Sequence, residues 1–514
     1  MRFSGPALLA ISLVTPAVAQ NIEVQTRYGA VSGTESQGLD IFKGIPYASP
    51  PAGDLRWKPP LPPKPWNGIR QATEFAPSCI QPARLQPQSE DCLYLNIWKL
   101  PAVHGAPVMV WIHGGGYLTG SGSIPLYDGS ALARLGAVVV TINYRLGVLG
   151  FLAHPLLSRE SREHVSGNYG LLDQIAALQW VRENIAAFGG DPLNVTVFGE
   201  SAGAGSVSCL LFSPLAKGLF HRAIAESGAL DDQLKDLRNP RGAIESAEHQ
   251  GLNVSHLLGC GGAKTLDCMR EMSGRLLLTM LPPSISCLEC TQRNTFGPVM
   301  DSYVIPGQPY ELLRSGKLNP AAILTGSNRG EGTIVIGLRP VPDVAGYHAW
   351  MAARFKDQAS KVLDTYRAAS DDAVRGAIRE VYTDSWYLCP SRSLAAAEKT
   401  GYLYQFTRVR PASEMRTAHG AELPYVFDTL KTAFGRVEEI DRSLAGLMSA
   451  AWYRFAAKGD PNGEGLPDWP RYDRQSEINL EFGVTLKLNR GLHTSQCDMW
   501  SFAGHTSGIP GGTF

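Results

Sequence analysis

The chain has 514 residues, of which 44% are hydrophobic and 9% aromatic, and this composition excludes a largely disordered protein. Lysine plus arginine and aspartate plus glutamate both number 47, so no net charge draws the chain to nucleic acid or to an anionic membrane. We therefore expect a globular protein whose partner is a small, neutral or weakly charged molecule.

The N-terminus has the pattern of a secretory signal peptide. Arg2 gives a positive start, residues 7–14 form an apolar run too short to span a bilayer, and small residues at 17–19 suit cleavage. A buried N-terminal helix is the alternative, but Pro16 would break it. The sequence predicts a signal peptide over residues 1–19.

No later run approaches membrane-spanning length, so the sequence predicts a secreted or periplasmic protein with a single domain over residues 20–514. Nine cysteines in an exported chain are expected to form disulfides. Their odd number leaves at least one thiol, which we expect to be Cys209, because it lies in an apolar run. Cys287 and Cys290 have the spacing of a redox motif or half a zinc site, but a local disulfide is favoured because no second ligand pair lies nearby. We expect no metal and no cofactor.

The first half of the chain predicts the start of a sheet and a glycine-rich loop. Short alternating strands between about residues 22 and 45 predict an antiparallel entry. A proline-rich arm follows, and residues 106–112 are a continuous apolar run, typical of a strand covered on both faces. This run ends in His113 and three glycines, a pattern that presents backbone N–H groups as an oxyanion hole. A flexible loop or a phosphate cradle is the alternative, but no Gly-Lys-Ser/Thr pattern follows.

The next elements predict a mainly parallel sheet. Residues 136–145 form another buried strand, and residues 170–188 place apolar side chains at helical spacing before Gly189. A further strand begins at Val195, so the order is strand, helix, strand. In such sheets ligands bind at the carboxyl ends of the strands. The predicted fold class is therefore α/β, and helical insertions are expected at about 232–320 and 335–395.

A Gly-x-Ser-x-Gly pentapeptide, residues 199–203, follows that strand without a spacer. A serine at such a sharp strand-to-helix turn projects its hydroxyl above the sheet, so Ser201 is the predicted nucleophile. Gly199 and Gly203 leave room for the turn, and the N–H of Ala202 opens the next helix. The pentapeptide alone is a weak signal, and an ordinary glycine-rich turn is the alternative.

A nucleophilic serine needs a histidine base and an acid. In proteins with this strand-turn-helix arrangement, the acid follows the serine in the chain and the histidine follows the acid. His419 lies on the loop after a predicted strand at 401–409 and is the preferred base. Glu331 lies between two glycines after a strand at 321–326 and is the preferred acid, with Asp301 as its competitor.

These motifs together resemble the type-B carboxylesterase family, from about Ile22 to Phe502. The matching segments are 90–96, 113–116, 143–145, 167–174, 188–192, 199–203 and 419–420. The resemblance implies an α/β-hydrolase fold, a large mainly parallel sheet flanked by helices.

The resemblance also assigns residues. It implies Ser201 as nucleophile, Glu331 as acid and His419 as general base, and an oxyanion hole formed by Gly115, Gly116 and Ala202. It implies disulfides that join Cys79 to Cys92, Cys260 to Cys268 and Cys389 to Cys497. It also implies structural ion pairs that join Arg56 to Glu90 and Arg145 to Asp173.

One segment departs from the family. The loop between Cys79 and Cys92 is short and has no aromatic residue, whereas cholinesterases carry a tryptophan there and the family's lipases carry a lid. We therefore expect a carboxylesterase acting on neutral esters of short to medium acyl chains. The alternatives are a lipase acting on longer acyl esters and a non-catalytic interaction domain of the same fold.

Overall fold

A computed structural model describes residues 21–230, 234–242, 244–281, 296–336, 341–397, 401–410 and 417–503. The predicted signal peptide, the pair Cys287 and Cys290, and the chain end beyond residue 503 lie outside the described residues. No helix within the described ranges is long and apolar enough to cross a membrane.

The described strands follow the predicted order, from an antiparallel entry to a parallel centre. They are β1 Asn21–Thr26, β2 Gly29–Ser36, β3 Leu39–Pro46, β4 Ile69–Gln71, β5 Ser78–Cys79, β6 Gln88–Ser89, β7 Tyr94–Lys99, β8 Ala106–Ile112, β9 Val138–Ile142, β10 Gly190–Glu200, β11 Arg222–Glu226, β12 Lys235–Asp236, β13 Val299–Met300, β14 Ala322–Asn328, β15 Tyr402–Phe406, β16 Ile478–Phe482 and β17 Leu486–Arg490.

The main sheet has the order β1-β2-β3-β7-β9-β8-β10-β11-β14-β15-β16-β17, and β4 pairs with β2 at one side. Its centre, from β9 to β16, is parallel, whereas β1 to β7 and the final β16–β17 hairpin are antiparallel. The mainly parallel sheet predicted from the sequence is confirmed.

The described helices flank this sheet and form the insertions. They are α1 Ser130–Arg134, α2 Gly147–Phe151, α3 Pro155–Glu160, α4 Tyr169–Asn184, α5 Ala202–Phe212, α6 Ala247–Leu257, α7 Thr265–Glu271, α8 Gly274–Met280, α9 Pro309–Arg314, α10 Thr333–Ile336, α11 Val344–Phe355, α12 Ala359–Thr365, α13 Asp371–Tyr382, α14 Cys389–Ala395, α15 Leu423–Val426, α16 Leu430–Phe434, α17 Glu439–Lys458 and α18 Thr494–Ala503. The helix predicted to reach residue 188 instead ends at Asn184 and continues as a 3-10 turn, which Gly189 closes with a φ of 83°.

Two buried clusters cover the two faces of the sheet. Along β10, Val195 and Val197 pack into one cluster, while Phe198 packs into the other. On β8, Met109 and Trp111 join the second cluster, and the alternate residues join the first. Because side chains alternate along a strand, an apolar run buried on both faces is what a covered sheet requires.

The cysteines implied by the family resemblance lie in bonding geometry. Sulfur–sulfur distances are 2.05 Å for Cys79–Cys92, 2.03 Å for Cys260–Cys268 and 1.98 Å for Cys389–Cys497. Cys209 is a buried thiol on α5. The ion pairs Arg56–Glu90 and Arg145–Asp173 are also formed, at 2.5 and 2.6 Å.

Candidate active site

Ser201 lies at the turn between β10 and α5, at the carboxyl end of the central strands. Its backbone has a φ of 57° and a ψ of −123°, a conformation that a residue with a side chain rarely adopts. Its N–H donates to the carbonyl of Glu226 on the neighbouring strand, at 2.9 Å. A Cβ at Gly203 would lie 2.0 Å from the carbonyl oxygen of Ile112, so the turn admits no side chain there. The sheet therefore holds Ser201 in a strained corner.

The glycine loop after β8 passes beside this corner. A Cβ built on Gly114 would lie 3.1 Å from the Cβ of Ser201. Gly115 and Gly116 have φ values of 104° and 61°, which glycine adopts without penalty. Within the described ranges, the N–H groups of Gly115, Gly116 and Ala202 donate to no protein acceptor. Backbone N–H groups without an acceptor are the kind of group that holds an anionic oxygen in an oxyanion hole.

His113, the residue before the glycines, packs against the loop through its buried ring. Its ring is buried, stacks on Tyr144 with ring centroids 4.5 Å apart, and lies with Nδ1 2.8 Å from the carbonyl of Gly114. The Tyr144 hydroxyl donates to the carbonyl of His113 at 2.8 Å. Burial lowers the pKa of His113 to about 4, so the ring is neutral and its Nδ1–H donates to Gly114.

His419 pairs with Glu331 and lies close to Glu200, the residue that precedes Ser201. His419 Nδ1 lies 2.6 Å from one oxygen of the fully buried Glu331, and the other oxygen accepts the N–H of Asn328 at 2.6 Å. Asp301, the competing acid, instead accepts the backbone N–H groups of residues 303–305 and the side-chain amide of Asn168. Glu331, not Asp301, is therefore the carboxylate that contacts Nδ1 of His419.

Two further buried carboxylates lie close to this pair. Glu200, which precedes Ser201, has Oε1 3.2 Å from His419 Nε2, but out of line for a hydrogen bond. Glu422 accepts from the Ser227 hydroxyl at 3.1 Å and from the side-chain amide of Asn328. Asn328 thus bridges Glu331, through its backbone, and Glu422, through its side chain.

The charges of this cluster shift one another's pKa values. Burial raises the pKa of Glu200 to about 7 and that of Glu422 to about 8. Burial alone would lower the pKa of His419, but the charges of Glu200, Glu331 and Glu422 outweigh it and raise that pKa to about 10. These carboxylates therefore stabilise the imidazolium form of His419, which is the form that results when the ring accepts a proton.

The structure brings the predicted residues to one end of the sheet, although not all into direct contact. Within the described ranges, His419 Nε2 makes no hydrogen bond, either to Ser201 or to any other residue. The aromatic ring of Tyr387 lies against His419, with ring centroids 4.8 Å apart. In the part of the chain that the structure describes, no group of three or more His, Cys, Asp or Glu side chains is arranged so that it could hold a metal ion.

Sequence reasoning missed three neighbours of His419. Glu200 stands inside the Gly-x-Ser-x-Gly pentapeptide and Glu422 stands three residues after His419, so position beside a predicted site residue was the available signal. Tyr387 had no such signal, because it lies in a helical insertion far from every motif.

Comparisons with known proteins find relatives over nearly the whole chain. The sequence model of the carboxylesterase family matches residues 20–500. The fumonisin B1 esterase of Sphingopyxis macrogoltabida is 41% identical over 490 residues, which cover 91% of this chain and 88% of the relative. The para-nitrobenzyl esterase of Bacillus subtilis is 37% identical, over 89% of this chain and 94% of the relative. A solved structure of a PNB esterase superimposes with a TM-score of 0.82 at 35% identity, and the match covers 94% of this chain and all of that one.

Proposed function

The chain belongs to the carboxylesterase family, and we propose that it hydrolyses neutral carboxylic esters of short to medium acyl chains through Ser201, His419 and Glu331. As a carboxylic ester hydrolase it needs a nucleophile, a base and a group that holds the oxyanion. The observation that carries the assignment is the 2.6 Å contact of His419 with the buried Glu331, beside a strained serine.

In the proposed acylation step, the Ser201 hydroxyl attacks the ester carbonyl carbon and His419 Nε2 takes its proton. Glu331 keeps the other ring nitrogen protonated and stabilises the imidazolium that forms. The carbonyl oxygen becomes an oxyanion, which accepts from Gly115, Gly116 and Ala202. Nε2 makes no hydrogen bond to a described residue, and catalytic hydrogen bonds often tighten only when substrate is bound.

The tetrahedral intermediate then collapses. The bond from the carbonyl carbon to the alcohol oxygen breaks, and the alcohol leaves with the proton held by His419. An acyl group remains on Ser201. Water attacks this acyl-enzyme with His419 again as base, and the carboxylic acid is released while Ser201 recovers its proton.

The short disulfide loop supports the substrate assignment. Gln81, inside the loop closed by Cys79 and Cys92, is fully buried, donates to the carbonyl of Gly120 and accepts its N–H, both at 2.8 Å. A loop fastened in this way to the segment that follows the glycine run is not expected to serve as a mobile lid. The names of the two relatives, a fumonisin B1 esterase and a para-nitrobenzyl esterase, suggest ester substrates of varied alcohol structure.

Export is part of the proposal. The apolar N-terminus with its cleavage site predicts a secreted or periplasmic enzyme whose single domain begins at residue 20. Three disulfides within the described residues fit an oxidising compartment.

The test compares turnover of p-nitrophenyl acetate, butyrate and palmitate by the parent protein and by Ser201→Ala. We expect acetate and butyrate to be preferred, and kcat to fall by about 10⁴-fold or more in the variant. Preference for palmitate with a rate jump on emulsions would indicate a lipase instead. Equal rates for parent and variant, with no labelling by a fluorophosphonate, would indicate a non-catalytic domain.

A further inference from the structure

The segment that carries Tyr387 is a short π-helix, Thr383–Leu388, between α13 and α14. A π-turn inside a longer helix widens it by one residue per turn and is frequently found at functional sites. Here the wider turn lies against the His419–Glu331 pair.

The π-helix is fastened on two sides. Towards the catalytic acid, the Thr383 hydroxyl accepts the N–H of Gly332, the residue after Glu331, at 3.0 Å. Gly332 approaches so closely that a Cβ there would lie 2.2 Å from the carbonyl oxygen of Arg379. The loop that carries the acid is thus packed directly against the helical insertion.

On the other side, Asp384 contacts the helical insertion and the residue that precedes α18. It accepts from the Tyr366 hydroxyl at 2.8 Å and pairs with His493 Nδ1 at 2.8 Å. Cys389, which follows the π-helix, is bonded to Cys497 on α18. These contacts fix the turn and direct Asp384 away from His419.

Tyr387 is the side chain of this turn that reaches the imidazole. Its ring centroid lies 4.8 Å from that of His419, with the ring planes at 48°. Within the described ranges its hydroxyl makes no hydrogen bond, so the aromatic ring supplies the contact. The face of an aromatic ring attracts a cation that lies over it within about 6 Å of the ring centroid.

We propose that Tyr387 is a positioning residue that stabilises the protonated form of His419 through its aromatic ring. The proposal rests on the proposed function, in which His419 gains a proton each time Ser201 attacks. The ring adds to the attraction of the carboxylates that face the imidazole, which are Glu331 after β14, Glu200 at the end of β10 and Glu422 before α15. Desolvation raises the pKa of Tyr387, so the ring acts as a neutral phenol.

The test first weakens the attraction of the ring for a cation at nearly constant shape and then removes the ring. Tyr387→Phe retains the ring, 3,4,5-trifluorophenylalanine at position 387 weakens its attraction for a cation at nearly constant volume, and Tyr387→Leu removes the ring. Trp386→Leu controls for the packing of the turn, because Trp386 lies on the same π-helix, with ring centroids 4.8 Å from Tyr382 and 6.4 Å from Tyr387, and makes no ring contact with His419 within the described ranges.

The first readout is the titration of His419, followed by NMR of protein labelled with ¹³C-histidine and assigned with His419→Gln. We expect Tyr387→Phe and Trp386→Leu to titrate like the parent. The pKa of His419 should fall by about 0.5 to 1 in Tyr387→Leu, with the trifluoro variant in between. An unchanged His419 pKa in both ring-weakened variants would overturn the proposal.

The second readout is kcat/KM for p-nitrophenyl acetate across pH. In Tyr387→Leu it should fall by about three- to tenfold, with the acid limb moved to lower pH. An equal loss in Tyr387→Phe or Trp386→Leu would contradict the proposal, because it would point to the hydroxyl or to the turn. If the parent has no Ser201-dependent turnover, the proposed function fails, and the NMR titration alone decides the ring contact.

Discussion

The two sides of Ser201 differ in their chemistry. On one side, Gly115, Gly116 and Ala202 offer backbone N–H groups, and the nearby His113 is kept neutral by burial, which lowers its pKa to about 4. On the other side, His419 is surrounded by buried carboxylates that raise its pKa to about 10. We call the part with Gly115, Gly116 and Ala202 the oxyanion side and the part with His419 and its carboxylates the base side. The charge of the oxyanion side therefore does not depend on pH, whereas the charge of the base side does.

The same transition state therefore has two charges, an oxyanion and an imidazolium, and the protein stabilises them in two different ways. Fixed backbone dipoles need no reorganisation when the oxyanion forms, and they do not depend on protonation. Carboxylates stabilise the imidazolium, but their effect depends on how many protons the cluster holds. Substitutions on the two sides should therefore give different pH signatures.

The largest effect is expected on the base side. Glu331→Gln keeps the shape but removes the charge that holds the imidazole tautomer, so kcat should fall by about 10⁴-fold, or about 5 kcal/mol. Glu226→Gln is the matched control. Burial raises the pKa of Glu226, and its carboxyl group accepts from the Trp452 indole rather than from His419, so little change is expected. Steady-state kinetics on p-nitrophenyl butyrate measure both variants, and similar losses in the two would contradict the assignment of the acid.

On the oxyanion side, Gly115→Ala should lower kcat by about 10²- to 10³-fold, the cost of losing an oxyanion donor. A Cβ there would lie 2.2 Å from the carbonyl oxygen of Thr119, so the loop must move. Gly68→Ala controls for backbone strain, because Gly68 has a φ of 74° and open space around it. The midpoint of the acid limb should stay where it is in the parent, and a shifted midpoint would show that the two sides are not separate.

A smaller change is expected from Glu200→Gln, and it should appear mainly in the pH profile. With a pKa raised to about 7, Glu200 is negatively charged above neutral pH and then raises the pKa of His419. Removal of this charge lowers the pKa of His419, so the acid limb of kcat/KM should move to lower pH. The measurement is kcat/KM from pH 5 to 11, and a limb that stays in place or moves to higher pH would count against the coupling.

The residues predicted to hold the oxyanion carry a stronger local signal in the sequence than the predicted base and acid do. A strand, three glycines and a serine pentapeptide each carry their own pattern. From the residues alone, Glu331 is preferred to Asp301 only because the strand before Glu331 is better defined, since both stand in turns after apolar segments. The choice depends on the order of β11, β14 and β15, which brings Glu331 to His419 and leaves Asp301 as the acceptor of a local turn.

The rest of the cluster is non-local. Glu200 and Glu422 meet around His419 only because β10 and the loop after β15 end at the same edge of the sheet. Tyr387 reaches the same point from a π-turn, and the extra residue of such a turn leaves no periodic mark in the sequence. The end of α4 at Asn184 was also missed, because apolar spacing continues through the 3-10 turn that follows.

Every step of the proposed reaction depends on an acyl-enzyme formed on Ser201. The most direct measurement treats the protein with a fluorophosphonate, locates the adduct by peptide mass spectrometry and follows esterase activity in parallel. We expect one adduct per chain on the peptide that contains Ser201, with activity lost in step, and no adduct in Ser201→Ala. Full turnover with Ser201 labelled to completion, or an adduct on another residue that accounts for the loss of activity, would contradict it.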